Sequence, residues 1–417
     1  MKIGFSKVDI TPPVGTELGG YAGYRPCTGT HDPLWCKAVV LEQADGRYGL
    51  IVLDLMCVDE ALYQRIAREV QPLGIAPERL LVCAIHSHAA PQGSVPGEGP
   101  LNRVNNNCIV DAAGMKGYML SVMEAARTAC EQATDGLEPF LVRTARAEAP
   151  PVGSERHTGE NPHTKLNVLQ FRTESQKVLT IYHFPCHPTV LSAANLEASA
   201  DFVAGIEGLL DADMAMFVNG AAGDISTRYT RQEATFAECS RMAAIAADTI
   251  KALIENETFV QPEPLKGIHS RVTLQPRPVE TQVNAEKQLE EAREKWEQAK
   301  AEGMDAASLR ILKSYEEGAW VNLEFARTMG DIRQLHLPVT VFRFCGLDFA
   351  AVPGEMFSAM QPEGLSVIGY ANGYYRYICG ESAYDAGYYE AMAAILARGE
   401  GEKLVSQLLR LRQQLES

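Results

Sequence analysis

Two of the nine histidines in this 417-residue chain, His86 and His88, stand one residue apart at the end of the apolar run "LLVCAIHSHAAP". On an extended chain, residues i and i+2 face the same side. The spacing therefore predicts two imidazoles converging on one point just past a strand, although H-x-H equally describes two loop histidines with ordinary hydrogen bonds. A second run, "VLTIYHFPCHPTVL", offers His183 within its strand-like part, read as a core or edge histidine. His187 follows at the exit, beside Pro188, and reads as ligand-capable. In "FVNGAAGDISTRY", residues Asn219, Gly220, Gly223, Asp224 and Ser226 form a small-residue turn. Such a turn brings backbone N–H groups and a hydroxyl close to a ligand. Glu355 follows Pro353-Gly354 at the end of the apolar run in "AAVPGEMF". A carboxylate there can ligate a metal, act as a base or complement a helix dipole. Last comes "YANGYYRYICGESAYDAGYYEA", with seven tyrosines in twenty-two residues, a pattern more often used for packing than for ligation.

The elements that must position these residues alternate in type. "YGLIVLDLMCV" reads as a strand, "DEALYQRIAREVQ" as a helix with an acidic start, and "RLLVCAIHSH" as the next strand. This order implies a crossover unit and a parallel component to the sheet. In parallel sheets, ligands bind beyond the carboxyl ends of strands, which is where His86 and His88 fall. A long helix is predicted over residues 111–134. "FLVRTARAEA", "KLNVLQFR" and "VLTIYHF" read as strands, and so does "MAMFVNG", followed by a helix over residues 232–255. "LPVTVFRFCGLDFAAVPGE" predicts a hairpin turning at Cys345-Gly346, "SVIGYANGYY" a strand, and the stretch from Gly387 onward a closing amphipathic helix. Residues 281–329 are different in character: two charged helices joined near Gly303, read as a solvated hairpin inserted between strands. A lid or a homo-oligomer contact is the alternative reading. The fold class expected is α/β, a mixed β-sheet core with flanking helices, in one domain spanning residues 1–417.

Composition removes several function classes. A net charge of −15 argues against nucleic-acid partners and against docking on anionic membranes. No run approaches the roughly 20 apolar residues of a spanning helix, so no membrane insertion is expected. The ten cysteines include Cys108 and form no C-x-x-C pair. With no secretory signal read at the N-terminus, free thiols and a cytoplasmic location are expected.

Taken in order, H-x-H, an arginine, H-P, G-D-x-S, P-G-E and N-x-Y-x-x-Y resemble the catalytic domain of the neutral/alkaline (non-lysosomal) ceramidase family. "VDITPPVGTELGGYAG" and "HDPLWCKAVVLE" are similar to that family's opening, where a Gly-Tyr motif precedes a strand. "AIHSHAAP", "CHPT", "AGDIST", "VPGE" and "NGYYRYI" look like its successive site motifs, with the spacing to "YYEA" also kept. The resemblance runs from about residue 4 to about residue 391, a short form without the immunoglobulin-like domain of the ceramide-cleaving members.

It implies one Zn²⁺ per chain held by His86, His187, Glu355 and Tyr377. His88 and Tyr389 would stabilise an oxyanion, Arg156 of "GSERHTG" would orient the substrate, and Ser226 would position it. Imidazole and carboxylate donors suit zinc, which lowers the pKa of a bound water to roughly 7. The implied function is zinc-dependent hydrolysis of a linear amide in a small-molecule substrate other than ceramide. An esterase, lactonase or modified-sugar hydrolase with the same site is the alternative. A non-catalytic metal-binding or interaction protein is a third reading.

Overall fold

A computed structural model describes residues 1–99, 101 and 111–416, with the backbone alone at 306, 307 and 310. Cys108 lies outside the described residues. The first sheet is built from β1 (Lys2–Asp9), β2 (Trp35–Gln43), β3 (Gly46–Leu53), β4 (Ile75–Ala84), β5 (Glu138–Glu148), β6 (Lys165–Thr173), β7 (Val178–Phe184) and β8 (Met214–Asn219). Their spatial order is β8-β7-β6-β5-β1-β2-β3-β4. The two outermost pairs, β3 with β4 and β7 with β8, are parallel, and the pairs between them are antiparallel. The crossover read from the sequence is therefore present at β3–β4.

Only two residue pairs, Lys2 with Pro139 and Ile3 with Glu138, join β1 to β5. The sheet is thus two four-stranded halves meeting at a narrow seam. Between β3 and β4 runs α1 (Glu60–Val70), started by Asp59, whose side chain accepts from Leu62 N at 2.7 Å. That bond satisfies one of the orphan donors at the helix start. Helix α2 (Ala112–Asp135) lies on β1 and β2, where Ser6 Oγ donates to Ala129 O at 2.8 Å. Helices α3 (Phe202–Leu209) and α4 (Phe236–Ile254) pack on each other beside the other half.

A second sheet follows, in the order β9 (Lys266–Leu274), β10 (Leu335–Phe344), β11 (Leu347–Ala351) and β12 (Ser366–Ile368). The β10–β11 hairpin turns at Cys345 (φ 50°) and Gly346 (φ 78°), the left-handed pair a two-residue turn needs. Between β9 and β10 the chain makes α5 (Gln282–Ala301) and α6 (Ala306–Thr328) around Gly303. Its second helix is more than a solvated arm: Val321 and Phe325, with Met329 just past its end, join the core of the second sheet.

Two expected elements are shorter than read. "SVIGYANGYY" stops being a strand at Ile368, because Tyr370 and Asn372 take left-handed backbones (φ 56° and 57°). The closing helix α7 (Glu400–Glu416) starts well after Gly387, and before it comes only a short helix at Tyr389–Ala393. Between the two, Ile395 and Ala397 are tied as extended chain to Arg277 and Gln275. The nine cysteines in the described residues are free thiols. Among the described residues, no helix is long and apolar enough to cross a membrane.

Candidate active site

The carboxyl ends of β4, β7 and β8 meet, and Asn219 at the end of β8 joins them. Its Nδ2 donates to Ile85 O and to Cys186 O, both at 3.0 Å, and its Oδ1 accepts from Cys186 N at 3.2 Å. One fully buried amide thus fixes the residues immediately before His86 and His187. A second asparagine acts alike on the tyrosine-rich loop. Asn372 accepts from Val82 N at 2.7 Å and donates to Leu80 O at 3.1 Å, which pins the loop along β4.

The H-x-H pair converges, but not by strand geometry. Strand β4 ends at Ala84, and His86 sits in a left-handed conformation (φ 71°) that a side chain with a Cβ seldom takes. That turn brings His88 Nε2 to 3.3 Å from His86 Nε2. His86 Nδ1 lies 2.7 Å from Met56 O and His187 Nδ1 lies 2.9 Å from Ile225 O. A ring N–H spent on a carbonyl leaves the other nitrogen as a bare lone pair. Both lone pairs face the same atom: Glu355 Oε2 is 3.0 Å from His187 Nε2 and 3.4 Å from His86 Nε2. Three acceptors gathered in a buried space repel one another unless a proton or a cation lies between them. Nδ1 or Nε2 atoms of His86, His88 and His187 lie within 4.8 Å of one another, and this group could hold a metal ion.

The electrostatics agree with that donor set. Burial would raise the Glu355 carboxyl, yet His86 and His187 beside it hold it well below its ordinary value, an effect that requires a proton or positive charge on the imidazole side, the same demand the three acceptors make. Burial, with Arg156 adding to it, takes His187 down to about 4. Burial and the neighbouring His86 and His187 take His88 well below its ordinary value. Both rings are neutral at pH 7. The Tyr374 hydroxyl donates to the other Glu355 oxygen, and the Tyr370 ring stacks on His86 with centroids 4.2 Å apart.

Arg156, Tyr377 and Tyr389 come to the same place. Glu355 and Tyr377 are register partners in a short parallel pair. Arg156 donates to the Tyr377 hydroxyl at 3.4 Å and to Glu390 Oε1 at 3.0 Å. The Tyr377 and Tyr389 rings meet edge to face at 6.0 Å. Burial alone would lower the Arg156 pKa, but Tyr377 and Glu390 beside it hold it above its ordinary value. Among the described residues, Arg156 Nε and His88 Nδ1 are buried without hydrogen-bond partners.

Ser226 forms a bridge with His187 and accepts from Arg228 N at 3.4 Å. The His187 ring is turned to Ile225 O and Glu355, so that imidazole cannot serve Ser226 as a base. Asp224 is structural: its carboxylate accepts from Ser358 N at 2.7 Å and Ser358 Oγ at 2.8 Å, which locks the P-G-E loop. Gly223 lets the two loops touch, since a Cβ there would lie 2.5 Å from Glu355 O. His183 is a core residue, between Val367 O at 2.7 Å and Asn167 at 3.0 Å, and burial takes it down to about 4.

Sequence reasoning missed the carboxylate behind Arg156. Glu390, nearly fully buried, takes Arg156 on one oxygen and lies 3.1 Å from His157 Nε2 on the other, and His157 stacks on Tyr388 at 3.7 Å. A charged residue directly after Tyr389 in a short helix was the available signal. The role of Gly20 was also hidden. At φ +86° it lies under His88, and a Cβ there would come within 2.3 Å of the ring. Tyr21 packs edge-on to His88 at 4.8 Å. The hairpin reaches the site region as well: α6 lies on the Tyr389–Ala393 helix through Gly318 and Met392, and Phe325 faces the Arg376 guanidinium at 5.5 Å.

Comparison with solved structures decides the architecture. The neutral ceramidase from Pseudomonas aeruginosa superposes with a TM-score of 0.74 over 98% of this chain and 73% of its own, at 15% sequence identity. The chain has the neutral ceramidase fold. A ceramidase complexed with C2 matches equally, with a TM-score of 0.74 and 15% identity over 100% of this chain and 75% of that one. No protein-family model matches the sequence, and no curated protein matches it. The α/β class and the mixed sheet with flanking helices agree with both neighbours.

Proposed function

We propose that the chain is a metal-dependent hydrolase of a linear amide, acting in one domain with a zinc ion held by His86, His187, Glu355 and Tyr377. The observation that carries this reading is the pair of bare imidazole nitrogens facing one buried carboxylate oxygen, at 3.0 and 3.4 Å. Two imidazoles, a carboxylate and a phenol, without thiolates or a carboxylate cage, suit zinc better than calcium or magnesium. Bound there, zinc would polarise a carbonyl and activate a water. His88 lies close enough to His86 to compete with Tyr377 for the fourth place.

The remaining groups divide the work on the substrate. His88 is neutral and turns its Nε2 to the cluster, from which it would donate to the oxygen that gains charge as the amide carbon becomes tetrahedral. Tyr389 is the second donor. Arg156, permanently charged and held from behind by Glu390, orients a carbonyl or carboxylate of the substrate through its free Nε. Ser226 hydrogen-bonds the substrate and is not the nucleophile. Burial of His86, His187 and Glu355 to 2% exposure or less keeps bulk water from screening these interactions.

The test is a panel of N-acyl amides and esters with matched acyl groups, assayed with metal-stripped and zinc-loaded protein. Zinc-dependent release of amine from an amide is the expected result. Ester cleavage alone would move the assignment to the esterase reading. No turnover of either class by zinc-loaded protein would overturn hydrolysis.

A further inference from the structure

Residues from both halves of the first sheet, which meet at the narrow β1–β5 seam, and from the second sheet surround a common space. What is left between the three is a cavity of about 460 Å³. Leu41 and Leu81 line it from one half, Leu169 and Ile181 from the other, and Phe342 and Phe344 from the second sheet. None of the eight candidate site residues lines it. Packed interiors contain few voids larger than a water molecule. A space of this volume with an apolar lining and a few polar groups falls in the range of small-molecule binding sites, about 300–1,000 Å³.

The polar groups identify the end that would meet a head group. Asp45, Glu78 and Arg79 contribute to the lining, with Arg79 and Asp45 already paired at 3.3 Å. His269 Nδ1 and Thr340 Oγ1 stand 3.1 Å apart beside them. Two carboxylates against one guanidinium disfavour an anionic head, whereas a hydroxyl or amide can hydrogen-bond to any of these groups. We propose that this cavity is a second ligand site, separate from the histidine cluster, and that it takes an uncharged amphiphile such as a long-chain alcohol or amide.

The test is a fluorescence titration with the neutral apolar probe N-phenyl-1-naphthylamine, followed by displacement with 1-dodecanol or dodecanoate. The full chain is expected to bind the probe. Dodecanol should displace it at least tenfold more effectively than dodecanoate. Leu169→Trp and Ile181→Trp fill the cavity from neighbouring strands, and either one that keeps the parental circular dichroism should lose at least tenfold in probe affinity. Glu355→Gln should bind the probe as the parent does. Absence of probe binding by the parent, equal displacement by dodecanoate, or unchanged binding in a folded filled variant would overturn the proposal. So would probe binding lost in Glu355→Gln, which would put the probe in the histidine site. Since the readout is binding, failure here is distinguishable from failure of the hydrolase reading.

Discussion

Replacing Glu390 by Gln removes the charge behind Arg156 while keeping the shape of the side chain. In the folded chain, burial alone would raise the Glu390 carboxyl, yet His157 and Arg156 take it from an ordinary 4.5 down to about 2. That difference corresponds to about 3 kcal/mol favouring the charged carboxylate. A depressed carboxyl contributes stability that is present above its unfolded pKa and is lost as pH falls through its folded one. Between pH 5 and 9 the contribution is therefore constant. Breaking a buried ion pair by removing one partner costs about 3–5 kcal/mol, and the amide retains part of the hydrogen bonding. The expected loss in Glu390→Gln is thus about 2–3 kcal/mol, independent of pH over that range. Arg156 also loses the anchor that sets its direction, so kcat/KM should fall about 10- to 100-fold, while zinc content stays at the parental value because Glu390 is not a proposed ligand. Urea denaturation at pH 5, 7 and 9, elemental analysis and the amide assay measure the three quantities. Unchanged stability and rate would refute the reasoning. Loss of zinc would show that the arginine network and the histidine cluster cannot be separated.

Three further outcomes are expected. His88→Ala should keep its zinc and lose about 100- to 1,000-fold in kcat as one oxyanion donor is removed; loss of the metal instead would make His88 a ligand. Gly20→Ala puts a methyl into the His88 ring, so the variant should be destabilised and slow together, and a fully active, equally stable protein would contradict the packing described. Burial raises Asp224 to about 6, so its neutral form contributes stability that is complete below 3.8 and is lost as pH rises through about 6. Asp224→Asn has no charge to bury, and its stability relative to the parent should improve by up to about 3 kcal/mol from pH 4 to 7.5. A difference that does not vary with pH would sink that account.

The strands and helices were legible where periodicity was strong, and the site motifs where residue types were unusual. Apolar runs such as "VLTIYHF" became β7 at the expected bounds, since buried strands need little else. His86 and His88 were visible as a pair, but the left-handed backbone that brings them together carries no periodic signal. The same holds for Tyr370 and Asn372, whose turn ends the strand read into "SVIGYANGYY". Asn219 and Asn372 looked like turn residues, and only the fold reveals that their amides hold strand ends against each other. Glu390 was indistinguishable from an ordinary charge at a helix start until Arg156, 234 residues away in sequence, lay beside it. In the hairpin, the charged first helix outweighed the apolar stripe of the second that reaches the core.

The central claim is that His86, His187 and Glu355 hold one metal ion. Its most direct test is elemental analysis of protein purified without added metal or a chelating tag and then offered zinc, beside His86→Ala and Glu355→Ala checked for folding by circular dichroism. About one zinc per chain in the parent, lost in both folded variants, is the expected result. A parent that takes up no zinc, or folded variants that both retain it, would contradict the claim.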